Sequence, residues 1–327
     1  MPYSEQVLQR ARARLEDARR ERERENEQQR EIAYERYPRL MQIEKKLRNT
    51  MTKLIATTLR QGEDPTAAIN QIREENLALQ REKEWILESE DLDYESPICT
   101  ICGGTGYIGS RMCSCLMELC RQEQKKELTS LLGNGRESFE TFRLEYYPDA
   151  FDADLGVSPR RLMQSNFNIC QRYAMGFGPN VGNLLFVGPT GLGKTFLSAC
   201  IARQVADKGF SVVYESAIQI FLDFESEKFK YNQEENRGIS KKYLECDLLI
   251  IDDLGTEMTT QFYISTLYHI INTRLMENRP TIISTNVGDQ VLEEKYSPQI
   301  ASRITGEYRV IKFVGNDIRH IKKGGNL

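Results

Sequence analysis

The sequence predicts an α/β fold with a parallel five-stranded sheet, preceded by an α-helical N-terminal region and a small cysteine-rich module. Three observations carry this prediction. From Pro159 onward, strand-like and helix-like patterns alternate, which is typical of a parallel sheet with helices on its faces. A glycine-rich loop at 188–195 directly follows an apolar run, and four cysteines crowd into positions 99–115. With 327 residues and 40% hydrophobic content, the chain is long enough for two or three domains.

The first segment, residues 1–95, is predicted to be helical and highly charged. From Ser4 to about Arg36 the residues are mostly Arg, Glu and Gln, which favours a solvated helix stabilised by ion pairs of about 0.2–0.5 kcal/mol each. Such a helix is either exposed and frayed or a rod that binds a partner. Apolar residues at helical spacing begin at Leu40, break at Gly62–Pro65 and resume up to Ile86. We expect a helical hairpin whose apolar stripes face each other or a partner.

Residues 96–120 are predicted to form a zinc-binding module. Cys99 and Cys102 are separated from Cys113 and Cys115 by a glycine-rich stretch that can bring two thiolate pairs together. Because four thiolates suit tetrahedral Zn²⁺, we expect a structural site without an open coordination position. The second pair is spaced one residue closer than usual, so Cys120 is an alternative ligand. Reduced free thiols or a redox pair are alternative states of the cluster.

A linker is predicted at 121–158, in which residues 141–147 look like a segment packed against the next domain. The sheet domain is predicted at 159–327. Its strands are expected at Leu184–Val187, Ser211–Tyr214, Leu248–Ile251, Thr281–Ser284 and Tyr308–Phe313.

The loop after the first of these strands fits the phosphate-binding template in full. Lys194 supplies a cation for the β- and γ-phosphates, and Thr195 offers a hydroxyl to Mg²⁺. The helix that follows directs its positive N-terminus at the phosphates. The chain is therefore predicted to bind a nucleotide through Gly188, Pro189, Thr190, Gly191, Leu192, Gly193, Lys194 and Thr195.

The third and fourth strands end in polar residues that complete such a site. Asp252 and Asp253 follow a buried apolar run, where Asp252 can hold Mg²⁺ through water and Asp253 can orient or deprotonate the attacking water. Asn286 follows the fourth strand and can fix the same water by hydrogen bonding. These residues predict hydrolysis of the bound nucleotide.

With these motifs, residues from about Glu137 to Arg319 resemble the DnaC/DnaI-type bacterial replicative helicase loaders. These are AAA+ ATPases that share their ATPase module with the IstB-type transposition helpers. The resemblance implies that Asn286 is sensor 1, that Arg303 is an arginine finger reaching the neighbouring subunit's nucleotide, and that Arg319 is a sensor 2-type contact to the γ-phosphate. A finger that acts across subunits implies self-association through the ATPase domain. The motifs that carry the resemblance are Asn183 through Thr195, Asp247 through Gly255, Ile282 through Asn286, Ser302 through Ile304, and Asp317 through Arg319.

One departure from the family pattern concerns the second acidic residue. AAA+ proteins usually carry Glu there, whereas this chain has Asp253, whose carboxylate reaches about one methylene less. Slow hydrolysis is therefore expected. Glu257 is an alternative group for positioning the water.

The resemblance implies an ATP-dependent helicase loader. Its N-terminal helices and zinc module would bind the replicative DNA helicase, its ATPase domain would assist loading on single-stranded DNA, and hydrolysis would release the loader. An IstB-type transposition helper and a non-hydrolysing nucleotide-dependent adaptor are the alternatives. Basic and aromatic residues between the second and third strands are candidate DNA contacts, although a solvated charged face has the same composition. They are Lys228, Lys230, Arg237, Lys241 and Lys242, with Phe229, Tyr231 and Tyr243.

Charge and hydropathy limit the partners and the location. The net charge of −4 gives no global attraction for nucleic acid. No apolar run approaches the roughly 18 residues that span a bilayer, and the N-terminus is charged with no apolar segment behind it. We therefore expect no membrane association and a cytoplasmic location.

Overall fold

A computed structural model gives the structure of residues 3–58, 66–131, 137–178, 181–229 and 240–324. The chain divides into two compact units. One comprises Arg12–Leu116, and the other comprises Met1–Ala11 together with Met117–Leu327. The division into four domains made from the sequence stays a prediction.

The unit Arg12–Leu116, here the helical unit, contains the predicted hairpin. The hairpin is formed by α2 (Pro38–Arg48) and α4 (Thr66–Ser89). Leu40 and Ile43 of α2 and Ile86 of α4 are buried in one apolar cluster, which Ala33 and Tyr94 complete. The apolar stripes of α2 and α4 therefore face each other, as one of the two alternatives expected. The break at 62–65 lies outside the described residues. The helices are α1 (Glu5–Arg36), α2 (Pro38–Arg48), α3 (Thr50–Thr58) and α4 (Thr66–Ser89).

Helix α1 is not solvated along its whole length, and the expectation from the sequence was wrong for its first turns. Val7, Leu8, Ala11 and Leu15 are buried. They recur at helical spacing, so the signal was present beneath the surrounding charges. In the second unit, Arg10 at this end of the helix pairs with Glu127 at 2.7 Å.

The cysteine-rich module consists of a hairpin followed by a helix. Strands β1 (Tyr107–Ile108) and β2 (Arg111–Met112) pair antiparallel, and α5 (Ser114–Leu131) follows. A side chain at Gly106 would lie 2.8 Å from Leu15 Cδ2, so this position has no room for a Cβ atom. Within the helical unit, α1 thus packs directly against the module.

The second unit is built on a parallel sheet, which confirms the predicted fold class. The five strands among the described residues are ordered β4-β5-β6-β3-β7, and all neighbouring pairs are parallel. Each predicted strand is present, and every strand end lies within three residues of its predicted position. The elements are α6 (Pro159–Met175), β3 (Asn183–Val187), α7 (Lys194–Asp207), β4 (Val212–Ser216), α8 (Ala217–Phe229), α9 (Lys241–Glu245), β5 (Leu248–Leu254), α10 (Gln261–Met276), β6 (Thr281–Thr285), α11 (Asp289–Lys295), α12 (Pro298–Glu307), β7 (Tyr308–Lys312) and α13 (Ile318–Gly324).

Both faces of the sheet are buried, because successive residues of the central strands enter two different apolar clusters. Phe186 and Ile250 belong to the cluster on one face, and Leu185 and Leu249 belong to the cluster on the other. Continuous apolar strands of this kind are expected of a parallel sheet covered by helices on both sides. The arrangement brings the carboxyl ends of β3, β5 and β6 to one edge of the sheet.

Residues assigned to the linker cover part of this sheet unit. Gln124 of α5 donates to Phe210 O at 3.0 Å and accepts from Val212 N at 3.2 Å. These bonds satisfy backbone groups at the outer edge of β4, where an unpaired edge would invite pairing with other chains. Two short 3₁₀ turns follow, at Phe139–Thr141 and Leu144–Tyr146.

No helix in the described ranges is both long enough and apolar enough to cross a bilayer.

Candidate nucleotide and metal sites

The loop after β3 has the shape that its glycines predict. Gly191 has a φ of +76°, and a Cβ atom there would lie 1.9 Å from Asp317 Oδ1. Gly188 has a φ of +154°, and its Cβ would lie 2.4 Å from Phe313 O. The loop therefore needs glycine both for its left-handed backbone and for its close contact with the chain that leads into α13.

Lys194 begins helix α7 and is 4% exposed. Its Nζ donates to Gly188 O at 2.6 Å and to Pro189 O at 2.8 Å. Burial lowers the pKa of Lys194, the carboxylates of Asp253 and Asp252 oppose this change, and Arg319 adds to it. The loop thus holds a cation at the N-terminus of a helix, which is a favourable arrangement for phosphate.

Asp252 lies buried at the end of β5, and both its oxygens accept hydrogen bonds. Tyr214 Oη donates to Oδ2 at 2.6 Å, and Ser284 Oγ donates to Oδ1. Burial and then Asp252 raise the pKa of Tyr214 well above its ordinary value, while the nearby Thr195 hydroxyl lowers it. Thr195 and Asp252 therefore meet in one cluster. Their hydroxyl and carboxylate oxygens are the donor types that suit Mg²⁺.

Asp253 follows with a φ of +53°, a conformation that short polar side chains adopt more readily than long ones. Its backbone N–H donates to Ser284 Oγ at 3.0 Å, and its exposed side chain lines the cavity beside the phosphate loop. Although the side chain is exposed to the cavity, its carboxyl group is partly desolvated, which raises the pKa of Asp253; Asp252 raises it further, while Lys194 and Arg319 oppose the increase. This position suits a group that orients water.

Glu257, the alternative water-positioning group, points elsewhere. It is 4% exposed and does not line that cavity. Gly255 N donates to its Oε2 at 3.1 Å, and Tyr296 Oη donates to its Oε1. Both carboxylate oxygens are thus used to stabilise the loop after β5. The alternative that Glu257 positions the attacking water is therefore wrong.

The cavity beside the loop has a volume of about 350 Å³. Arg319, at the start of α13, lines one part of it, and the aromatic side chains of Phe142, Tyr147 and Phe196 line another. Tyr147 is fully buried, and its Oη donates to Leu192 O at 2.9 Å. The expected packing of residues 141–147 is confirmed, although the sequence did not identify Tyr147 as a residue that holds the phosphate loop.

Five residues predicted for the nucleotide site do not line this cavity: Gly188, Pro189, Asp252, Asn286 and Arg303. Asn286 is exposed just after the end of β6. Arg303 lies on α12, where its guanidinium stacks 4.7 Å from the ring centre of Tyr268 and donates to Tyr268 Oη at 3.0 Å. Their roles as sensor 1 and arginine finger stay predictions.

The four cysteines of the hairpin module converge. The Sγ atoms of Cys99, Cys102, Cys113 and Cys115 all lie within 4.8 Å of one another, as four ligands of one ion must. Burial raises the pKa of Cys102, but the Gly106 N–H and the other three thiols outweigh it and lower this pKa to about 6. The donor set fits Zn²⁺.

The alternative ligand Cys120 is buried in α5 and is not a member of this group.

The structure excludes one of the candidate DNA contacts, and the others stay predictions. Tyr243 is fully buried and donates to Asp223 Oδ2 at 2.5 Å, so it cannot stack on bases. Lys242 pairs with the same carboxylate at 3.0 Å. The remaining expectation rests partly on positions outside the described residues: Lys230, Tyr231, Arg237 and the side chain of Phe229.

A family model described as IstB-like ATP binding protein matches residues 168–323. This match agrees with the resemblance that the motifs predicted for the sheet domain. A putative ATP-binding protein of insertion sequence IS232 from Bacillus thuringiensis subsp. berliner is 30% identical over 142 residues, which are 42% of this chain and 55% of that protein. The replicative helicase loader DnaC of Escherichia coli (strain K12) is 22% identical over 134 residues, 41% of this chain and 54% of that protein. The chain thus matches little more than half the length of these relatives.

Solved structures also resemble this chain. The crystal structure of the DnaC helicase loader has a TM-score of 0.45 and 19% identity, and covers 58% of this chain and 99% of that one. The crystal structure of DnaI has a TM-score of 0.41 and 23% identity, and covers 53% of this chain and 95% of that one.

Proposed function

We propose that this protein is an ATP-dependent helicase loader. ATP binding would control its self-association and its binding to a replicative DNA helicase. Hydrolysis would release the loader once the helicase is on single-stranded DNA. One observation carries the proposal: the phosphate loop, Asp253 and Arg319 surround a single cavity within an IstB/DnaC-type ATP-binding domain. The weak similarity to the replicative helicase loader DnaC favours loading as the purpose of that ATPase.

The proposed chemistry assigns one task to each group at the cavity. Lys194 and the N-terminal amides of α7 bind the β- and γ-phosphates. Thr195 and Asp252 hold Mg²⁺, which neutralises charge on the phosphate oxygens when it is bound. Asp253 orients the attacking water, and Arg319 contacts the γ-phosphate. The short reach of Asp253 supports slow turnover, which suits a protein that acts as a timed switch.

Two residues outside the cavity complete the proposal. Asn286 lies at the same sheet edge as Asp253 and would fix the water from that side. Arg303 would reach the nucleotide of a neighbouring subunit, where its charge stabilises the transition state only after two subunits dock. Self-association and hydrolysis would then depend on each other.

The helical unit and the four-cysteine module are the proposed helicase-binding part. The four thiols are close enough to bind one zinc ion, and zinc binding by such modules contributes directly to folding. We assign zinc a structural role, because four protein ligands leave no open position for catalysis.

A second candidate is an IstB-type transposition helper that binds duplex DNA and a transposase. The IS232 relative is more similar in sequence than DnaC, and the matching family model carries the IstB name. A non-hydrolysing adaptor is the third candidate, which the Asp at position 253 favours. Turnover of ATP separates the adaptor from the other two.

Size-exclusion chromatography with light scattering tests the loader. The protein is mixed with the replicative helicase of its host at fixed salt, with ATP or with ADP, and Lys194→Ala serves as the nucleotide-binding control. A stable complex, with self-association that depends on ATP and on Lys194, supports the loader. Absence of a complex in both nucleotides, together with a preference for duplex over single-stranded DNA, would favour the transposition helper instead.

A further inference from the structure

Tyr214 is a buried residue at the nucleotide site that no motif of the sequence indicated. It lies on β4, pairs in register with Ile250 of β5, and its ring belongs to the apolar cluster shared with α7. Only 8% of the residue is exposed. Its ring is thus fixed by packing, and the direction of its hydroxyl follows from the fold.

That hydroxyl lies between the two residues proposed to hold magnesium. Tyr214 Oη donates to Asp252 Oδ2 at 2.6 Å, and the Thr195 hydroxyl lies close enough to this phenol to lower its pKa. One phenol therefore connects the phosphate loop to the end of β5.

The other oxygen of Asp252 is held in a similar way. Ser284 Oγ donates to Asp252 Oδ1 and accepts from Asp253 N at 3.0 Å. Two donors from neighbouring strands thus fix the rotation of the carboxylate. Groups that orient a metal ligand in this way commonly affect metal affinity more than they affect the rest of the site.

We propose that Tyr214 is a positioning residue for magnesium: its phenol holds the Asp252 carboxylate and the Thr195 hydroxyl in the orientation in which both act on the same ion. The proposal rests on the proposed function, because it assumes that the site binds a magnesium nucleotide. It goes beyond that function in assigning magnesium affinity to a residue that touches neither the nucleotide nor the ion.

The test uses Tyr214→Phe in the full chain, with Tyr243→Phe as the matched control. Tyr243 is also buried and its Oη also donates to an aspartate, Asp223, at 2.5 Å, but it is not at the nucleotide site. Both variants lose one buried phenol hydroxyl and keep the ring. A general effect of such a loss would appear equally in both.

Equilibrium binding of ADP is measured over a series of MgCl₂ concentrations at constant ionic strength, and once in EDTA. For Tyr214→Phe, the MgCl₂ concentration that gives half of the magnesium-dependent change in ADP affinity is expected to rise roughly tenfold. ADP affinity in EDTA should match that of the wild type, and Tyr243→Phe should match it under both conditions. Saturating MgCl₂ should restore the ADP affinity of Tyr214→Phe.

Three results would overturn the inference. The first is an unchanged magnesium dependence in Tyr214→Phe, the second is an equal shift in Tyr243→Phe, and the third is an equal loss of ADP affinity with and without magnesium. If Tyr214→Phe does not fold, Ser284→Ala removes the donor to the other oxygen of Asp252, and the same shift is expected. A wild-type protein that binds no ADP would instead refute the proposed function itself.

Discussion

Replacing Arg274 should destabilise the sheet unit more than replacing any exposed arginine. This residue of α10 is 1% exposed, and its acceptors lie in two other segments of the chain. Nε donates to Thr281 Oγ1 at 2.9 Å, and Nη2 donates to Pro280 O at 2.7 Å, both at the start of β6. Nη1 donates to Tyr243 O at 2.9 Å and to Cys246 O at 3.0 Å, around the end of α9.

The expected cost follows from these four contacts. Arg274→Met fills a similar volume without donors, so the four shortest hydrogen bonds of Arg274 are lost, at about 1 kcal/mol each. Removing the buried charge recovers part of its desolvation penalty, and we expect a net loss of about 3 kcal/mol. Arg274→Lys should lose at least as much, because an ammonium group cannot reach acceptors on opposite sides as a planar guanidinium does.

Amide hydrogen exchange of β5 and β6 under native conditions measures this loss locally. A loss of about 3 kcal/mol makes exchange roughly 100-fold faster where local or global opening limits it. Arg309→Met, at an exposed position on β7, is the control and should change stability by less than about 0.5 kcal/mol. A loss below about 1 kcal/mol in Arg274→Met would refute the reasoning, because the acceptors would then have found other donors.

Three further predictions concern the sites and the helical unit. Asp253→Asn keeps the size and backbone preference of Asp253 but removes its charge. ATP hydrolysis should therefore fall roughly 100-fold while ADP binding persists. Hydrolysis at the wild-type rate would exclude Asp253 as the residue that orients the attacking water. In the helical unit, burial raises the pKa of Glu44, but hydrogen bonds from Tyr34, Tyr94 and Lys83 lower it overall. The pKa of Glu44 in the folded protein therefore lies below its unfolded value of about 4.3. Ionised Glu44 thus stabilises the fold above a pH of about 4.3, and this contribution is lost as the pH falls through the folded pKa. Thermal unfolding of Glu44→Gln should depend less on pH in this acid range, and an equal dependence would contradict the assignment. Zinc analysis of the purified protein should give one ion per chain, lost in Cys102→Ser and kept in Cys120→Ser; retention in Cys102→Ser would contradict the ligand set.

The strands and the phosphate loop were predictable because their causes are local. A central parallel strand must be apolar on both faces, so the runs Leu184–Val187 and Leu248–Ile251 indicate their own structure. The loop needs glycine where the backbone turns left-handed, and Gly191 has such a φ of +76°. The convergence of the four cysteine thiols was predictable for a similar reason. Each pair is close in sequence, and a glycine-rich segment lies between the two pairs.

The supporting residues were not predictable because their partners are distant in sequence. Tyr147 donates a hydrogen bond to Leu192 O, and Tyr214 donates one to Asp252. In the sequence alone, each tyrosine is indistinguishable from an ordinary aromatic residue of the core. Only the folded sheet determines which phenol points at a functional group. The alternative role of Glu257 could not be excluded from the sequence for the same reason, since its partner Tyr296 comes from beyond β6.

Asp253 shows why a departure from a family motif has to be interpreted with the backbone as well as the side chain. By side-chain length alone, Asp in place of Glu means a shorter reach and slower chemistry. The structure adds that this residue has a φ of +53° and that Ser284 Oγ accepts its N–H. In that conformation a short polar side chain costs less than a longer one, because it tolerates the left-handed region more readily. The aspartate therefore fits the local backbone, although its carboxylate reaches one methylene less than that of a glutamate.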